Sequence, residues 1–133
     1  MDQVKTPTEF GVDENNFVNL AIVGDLSEDK LEALSISMYE FRKLVENMHG
    51  KMGRKVKILV DLTRFSGKYA VKSFSELVNS AKLSKPHIEK SALFGGSFQV
   101  KLTVEAVIAL SQRENMKIFE TKQQALEWLS KPL

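Results

Sequence analysis

The sequence predicts an α/β fold in which parallel strands alternate with helices behind an N-terminal antiparallel hairpin. Short apolar runs typical of strands alternate along the chain with longer segments in which apolar residues recur every three or four positions. Near the start, two extended runs flank the polar turn "DENN" at 13–16, which is the pattern of a hairpin. Consecutive parallel strands need helical crossovers, so this order of segments predicts a mixed sheet.

The first predicted helix follows the hairpin after Gly24. Its apolar positions recur at steps of three and four over about five turns. They are Leu31, Leu34, Met38, Phe41, Val45 and Met48. Asp25 or Ser27 would cap the N-terminus of this helix, and Gly50 and Gly53 would stop it.

The segment "VKILVDL" at 56–62 is the predicted central strand. A nearly continuous apolar and β-branched run is typical of a strand that is covered on both faces. The chain then passes through Ser66-Gly67 into a second helix, for which we expect Ser66 to be the N-cap. The inner face of that helix is predicted to consist of Val71, Phe74, Val78 and Ala81.

Two further pairs of strand and helix complete the order. "SALFGG" at 91–96 predicts a short strand, and Val100, Val104 and Val107 mark the inner face of the helix after it. "MKIFE" at 116–120 predicts the last strand. Thr121 and Gln124 have the spacing of a capping box, which would open a short final helix.

Composition excludes several classes of function. The chain has 133 residues, 43% hydrophobic and 27% charged, which is typical of one globular domain, and we expect that domain to span 1–133. The absence of cysteine excludes disulfides, thiolate nucleophiles and cysteine-based metal sites. We do not expect the acidic start to act as a signal peptide, and no apolar run approaches the roughly 20 residues of a membrane span. We therefore expect a cytoplasmic protein with no transmembrane segment.

The net charge of +2 conceals an uneven distribution. Acidic residues outnumber basic ones in 1–32, whereas basic residues lead in 64–101. A solvated surface explains this pattern, and so does a basic face for an acidic partner, a phosphate or a membrane surface. The lysines are scattered and not interleaved with aromatic residues, so we expect no nucleic acid as a partner.

The candidate functional residues fall at one edge of the predicted sheet. In sheets of this kind, ligands bind beyond the carboxyl ends of the parallel strands. We call this edge the strand-end face, and its members are Asp25, Asp61, Arg64, Ser66, Gly67, Lys68, Gly95, Gly96 and Ser97. Gly95-Gly96 could cradle an anion at a helix start, but no Walker or dinucleotide motif surrounds it. No motif predicts a metal or a cofactor.

The sequence gives little support for catalysis. His49 and His87 lie away from every predicted strand end, so a Ser-His-Asp arrangement is not expected. Asp25, Asp61 and Glu120 could form paired carboxylates in an Asp-based hydrolase or phosphotransfer enzyme. Each of the three also has a local role at a turn or a helix start, and that structural use is favoured.

Five aromatic residues could line an apolar pocket near the strand-end face. They are Phe65, Tyr69, Phe74, Phe94 and Phe98. Packing in the core is the alternative and favoured use of these side chains. A pocket lined in this way would accept a small apolar or lipid-like ligand.

Three segments resemble the SpoIIAA-like branch of the STAS superfamily. They are "VGDLSEDKLEAL" at 23–34, "KILVDLTRFSG" at 57–67 and "MKIFETKQQALEWLSK" at 116–131, and the resemblance extends over about 17–131. It implies a mixed sheet of four or five strands with helices packed mainly on one side. It also implies a small non-catalytic module.

The resemblance adds one candidate regulatory residue. Classical STAS anti-sigma-factor antagonists carry a phosphorylatable serine in a Ser-Gly turn, and Ser66-Gly67 matches that turn by position. Ser66 is therefore the candidate phosphosite, with Arg64 and Lys68 beside it to accommodate the added charge. The longer Asp-Ser-Ser-Gly-Leu pattern of those proteins is missing here, which favours a capping role for Ser66 over a switch.

The sequence thus predicts a non-catalytic, STAS-type regulatory module whose partner is another protein, bound through the strand-end face and the second helix. Binding of a small apolar ligand is the alternative, and an Asp-based enzyme is less favoured. A homodimer remains open.

Overall fold

The computed structural model describes residues 6–132. The strands are β1 (Thr8–Val12), β2 (Val18–Ile22), β3 (Gly24–Leu26), β4 (Val56–Asp61), β5 (Phe65–Tyr69), β6 (Ile88–Phe94) and β7 (Met116–Phe119). The helices are α1 (Leu31–Met52), α2 (Val71–Ser84), α3 (Phe98–Ser111) and α4 (Lys122–Ser130).

Five of these strands form the main sheet, in the order β1-β2-β4-β6-β7. β1 and β2 are antiparallel, with Val12 opposite Val18 next to the polar turn. β4, β6 and β7 each add in parallel, so that Val18 faces Ile58 and Ile58 faces Ser91. The predicted α/β fold, a mixed sheet with an N-terminal hairpin, is confirmed.

The helices divide unequally between the two faces of the sheet. α1 and α3 bury residues such as Phe41 and Val104 in the larger core cluster, which contains Ile58 and Val60 of the central strand, and α2 packs between these two helices. α4 lies on the opposite face, where its Leu129 joins a smaller cluster. The expectation that helices pack mainly on one side is therefore confirmed.

A second, two-stranded sheet formed by β3 and β5 was not predicted. It lies at the carboxyl end of the main sheet, and the N–H of Gly24 donates to the carbonyl of Arg64 at 2.9 Å. Phe65 and Gly67 are buried while Ser66 between them is exposed, which is the alternation of a strand.

The prediction that Ser66 caps the second helix is wrong because Ser66 lies inside β5. α2 begins at Val71, and its N-cap residue is Ala70, which makes no side-chain capping bond. The inner face of α2 also differs from the prediction. Its buried residues are Ser73, Ser80, Ala81 and Ser84, whereas Val71 is 81% exposed. Of the predicted inner face only Ala81 is buried, so the helix directs small side chains toward the sheet.

The first helix starts later than its predicted caps suggest. Asp25 and Ser27 precede a short 3-10 turn at Glu28–Lys30, and α1 follows that turn. At the other end, Gly53 adopts a left-handed φ of 68° and its N–H donates to the carbonyl of His49, so the predicted stop at Gly53 is confirmed. Gly50 lies within the helix.

The last helix matches the prediction closely. The Thr121 hydroxyl accepts from the Gln124 N–H at 3.2 Å, and the Gln124 side chain accepts from the Thr121 N–H at 3.2 Å. This reciprocal pair is the predicted capping box. The far end of α4 is held by buried Lys90, whose Nζ donates to the carbonyls of Trp128 and Lys131, both at 2.7 Å.

None of the helices within residues 6–132 combines the length and the apolar character that a membrane crossing requires.

Candidate functional site

An open apolar groove of about 360 Å³ lies where β5 meets the N-terminal halves of α2 and α3. We call it the α2–α3 groove, and its lining residues are Tyr69, Val71, Phe74, Gln99, Leu102, Thr103 and Ala106. It adjoins the strand-end face because β5 contributes residues to both.

Large apolar side chains in this groove are open to solvent. The exposed fraction is 81% for Val71, 51% for Leu102 and 42% for Tyr69, and the Tyr69 ring stacks on Phe74 with centroids 5.7 Å apart. Phe98, one helical turn before Leu102, is 75% exposed and extends the apolar surface along α3. A helix of a globular protein normally turns a polar face to the solvent. Here the solvent-facing side of the groove is apolar, which is typical of a surface that another molecule covers.

Several charged residues lie next in the sequence to residues of the groove. Lys68, Lys72 and Lys101 are each the sequence neighbour of a groove residue, and all three are exposed. Lys72 lies 3.8 Å from Glu28, but both side chains are largely solvated, so this ion pair contributes little. Glu105, next to Ala106 of the groove, is also exposed, so lysines outnumber acidic residues three to one among the charged sequence neighbours of the groove.

Ser66 lies on β5 three residues before Tyr69 of the groove, and alternation along the strand puts the two side chains on opposite faces. Its hydroxyl is exposed and accepts a hydrogen bond from the N–H of Lys68 at 3.2 Å. Gly67, next to it, has a φ of 87°, and a Cβ at this position would lie 3.2 Å from Val100 Cγ2 of α3. β5 is thus packed closely against α3 at this point.

The two candidate carboxylates of the strand-end face each satisfy their own turn. Asp25 accepts from the N–H and the hydroxyl of Ser27 at 3.1 and 2.7 Å and pairs with Lys30 at 3.1 Å. The hydrogen bonds from Ser27, with the contribution of Lys30, lower the pKa of Asp25 from 3.8 to about 2. Asp61 accepts from the N–H and hydroxyl of Thr63 at 2.8 and 2.6 Å.

The remaining candidate carboxylate, Glu120, is exposed and directly precedes the capping box of α4. Within the described chain, no three His, Asp or Glu side chains lie close enough together to hold a metal ion. The arrangement of the carboxylates is that of turn residues.

The other members of the strand-end face have structural contacts. Arg64 reaches across to Glu9 with two hydrogen bonds, at 3.1 and 3.3 Å. Gly95 and Gly96 both have positive φ, and a Cβ would meet Thr63 Cγ2 at 2.6 Å in the first case and Val100 Cγ1 at 2.7 Å in the second. Ser97 caps α3 by accepting from the N–H of Val100. The two glycines are therefore explained by close packing.

The five aromatic residues that could have lined one pocket, with core packing as the favoured use, are separated in the structure. Tyr69 and Phe74 line the α2–α3 groove, whereas Phe65 faces the interior between the sheet and the helices. Phe94 belongs to the core cluster beneath α4 on the opposite face, and Phe98 lines a groove beside β7. Alternation along β6 turns Phe94 away from the helices that carry Phe74 and Phe98.

One side-chain pair could not be found from the sequence. His49, near the end of α1, and His87, in the turn before β6, have their Nδ1 atoms 2.9 Å apart, so one imidazole donates to the other. Their separation of 38 positions in the chain hides this contact. The pair lies away from the strand-end face and joins α1 to the connection between α2 and β6.

The sequence model of one family covers most of the region that forms the sheet, the helices and the groove. It is described as SpoIIAA-like and matches residues 17–130. The chain belongs to the SpoIIAA-like family. No protein of curated function matches this SpoIIAA-like chain.

Solved structures share the fold of this SpoIIAA-like protein at low sequence identity. An uncharacterized protein with a SpoIIAA-like fold from Shewanella loihica aligns with a TM-score of 0.66 at 16% identity, covering 97% of this chain and 98% of the other. The protein TM1081, solved by NMR, aligns with a TM-score of 0.57 at 18% identity, covering 99% of this chain and 94% of the other. The anti-sigma factor antagonist SpoIIAA in its unphosphorylated form aligns with a TM-score of 0.55 at 12% identity, covering 92% of this chain and 96% of the other. At these identities the likeness shows a common fold.

Proposed function

We propose that this SpoIIAA-like protein is a non-catalytic regulatory module that binds another protein through the α2–α3 groove. The observation behind this proposal is the exposure of Val71, Leu102 and Tyr69 in one continuous groove. Apolar residues scattered singly over a surface are ordinary, but a contiguous exposed patch is typical of an interaction site. The shared fold with an anti-sigma factor antagonist, a protein that acts through other proteins, supports the same class of function.

The charge around the groove defines the chemistry of the partner. Among the charged sequence neighbours of the apolar groove, Lys68, Lys72 and Lys101 outnumber Glu105, so the complementary surface has apolar side chains and an excess of Asp and Glu. Such a partner would bury the exposed apolar residues while its carboxylates pair with these lysines.

The hydrogen bonding of the candidate carboxylates supports a module without catalysis. Asp25 and Asp61 each accept bonds from residues two positions later in the chain, which is the geometry of turn stabilisation. A general base must instead reach the proton of a bound substrate.

Ser66 is the proposed switch for this interaction. A phosphate there would add about two negative charges next to Lys68, whose N–H already bonds to the Ser66 hydroxyl. It would neutralise the field that attracts an acidic partner, so we expect phosphorylation to weaken the complex.

The experiment has two stages. First, p-benzoylphenylalanine in place of Tyr69, which lines the groove, is photo-crosslinked in cells, and the partner is identified by mass spectrometry and purified. Second, calorimetry measures its affinity for the wild-type protein, for Leu102→Glu and for the control Ile36→Glu. Ile36 is 53% exposed and Leu102 is 51% exposed, but Ile36 is on α1, so the control adds the same charge outside the groove.

We expect Leu102→Glu to weaken binding by at least about tenfold and Ile36→Glu to change it by less than about twofold. Ser66→Asp should weaken the same complex, and Ser66→Ala should leave it intact. Equal losses for the two glutamate variants would overturn the assignment of the groove. Equal affinities for the two Ser66 variants would overturn the switch alone.

A further inference from the structure

A partly open apolar cavity lies between the main sheet and the helices α2 and α3. Its volume is about 90 Å³, its floor includes Ile58 and Val60, and Leu77 and Val104 lie above. The cavity exists because α2 turns small side chains inward at this point. Ser84 and its neighbours on that face are too short to reach the sheet.

Arg113 lines the same cavity and is only 4% exposed. Its guanidinium donates to Asn115 Oδ1 at 2.7 Å, to the Ala81 carbonyl at 3.3 Å and to Ser91 Oγ at 2.8 Å. All three acceptors are uncharged. A guanidinium has more N–H groups than these three bonds use.

Arg113 therefore has a buried positive charge without a counter-charge. None of the ion pairs among residues 6–132 includes it. Burial lowers the pKa of Arg113 to about 10, so the group remains charged at neutral pH while it lacks full solvation. An uncompensated charge in the interior is costly, and an anion beside it would remove that cost.

We propose that this cavity binds a small amphipathic carboxylate, with the apolar chain in the space between sheet and helices and the carboxylate on Arg113. The planar fork of a guanidinium matches a carboxylate. An engineered cavity of about 150 Å³ holds benzene, so by proportion this one takes a chain of about four carbon atoms. The ligand class is therefore the short-chain carboxylic acids. This site is separate from the α2–α3 groove and does not depend on the proposed protein partner.

The test titrates the whole protein with isovalerate and with isovaleramide, its uncharged counterpart of the same shape, and follows backbone amide resonances by NMR at neutral pH. Isovalerate should shift the signals of Ala81, Ser91 and Arg113 to saturation. Isovaleramide should bind at least about tenfold more weakly, because it does not neutralise the guanidinium. This comparison needs no variant of Arg113.

Two matched variants locate the site. Ser84→Leu fills the cavity and removes only a hydroxyl that bonds to the Ser80 carbonyl within its own helix, so the fold should remain intact while isovalerate binding is lost. Ser75 makes the same kind of bond to the Val71 carbonyl but is exposed, so Ser75→Leu should bind as the wild type does.

Three outcomes would overturn the proposal. Equal affinity for the acid and the amide would show that Arg113 recognises no carboxylate. Undiminished binding by Ser84→Leu would place the ligand elsewhere. No binding of propionate, butyrate, isovalerate or hexanoate up to about 10 mM would make the cavity a packing void.

Discussion

Two acidic residues of the strand-end face make hydrogen bonds that stabilise turns of the fold. Asp25 holds the turn between β3 and the 3-10 segment, and Asp61 holds the turn after the central strand. Both positions were picked out from the sequence as candidate carboxylates. Because an acid after a strand has the same spacing in a turn and in an active site, only the hydrogen bonds of the folded chain distinguish the two uses.

The lowered pKa of Asp25 makes a prediction about pH. Its carboxyl group has a pKa of about 2 in the folded protein against an ordinary value of 3.8, so its stabilising effect is complete above pH 3.8 and is lost as the pH falls through 2. We expect wild type to be more stable than Asp25→Asn at about pH 6, and this difference to disappear on acidification. Urea unfolding of both proteins across this range measures it.

A direct NMR titration of the Asp25 carboxyl carbon provides the control for this prediction, since it does not depend on global unfolding in acid. A carboxyl group that titrates at 3.8, or a stability difference that persists below pH 2, would contradict the assigned hydrogen bonds.

At the level of secondary structure, the helix ends that are marked by capping residues close together in the sequence were predicted correctly. The capping box of α4 and the glycine stop of α1 depend on residues within one turn of each other, and both are present. The inner face of α2 was predicted from Val71, Phe74 and Val78, but the helix buries serines instead. The sequence could not reveal this, because the orientation of α2 is fixed by its packing between α1 and α3.

The capping box predicts the stability of α4. Thr121→Ala removes the acceptor for the Gln124 N–H and should lower the free energy of unfolding by about 1 kcal/mol. Thr121→Ser retains the hydroxyl and should recover most of that loss. Urea unfolding of the three proteins gives the comparison, and equal losses in the Ala and Ser variants would show that the hydroxyl does not act as a cap.

Across the whole molecule, the order of strands and helices in the sequence predicted the main sheet. Contacts between segments that are distant in the sequence could not be predicted. The β3–β5 sheet, the His49–His87 pair and the burial of Arg113 all join positions more than twenty residues apart. The exposed groove was also missed. Aromatic and aliphatic residues there have the same sequence signature as residues of the core.

The unequal covering of the two faces predicts unequal local stability. β4 is paired on both sides and buried by helices on both faces, whereas α4 has nine residues and buries only Ala125 and Leu129 fully. Native-state hydrogen exchange should therefore show the amides of α4 opening at a lower free energy than those of β4. Equal opening energies for the two elements would mean that the molecule opens only as one unit.

The parallel pairing of β2 with β4 has a consequence for folding speed. Val18 faces Ile58, and all of α1 lies between them in the chain. Only the β1–β2 hairpin can form from neighbouring residues; every other pair of strands in the main sheet must wait until a long loop has closed, and that entropy is lost before any contact compensates for it. We expect the chain to fold more slowly than a helical bundle of equal length. Its rate-limiting step should be the arrival of the central strand beside a hairpin and a helix that are already formed.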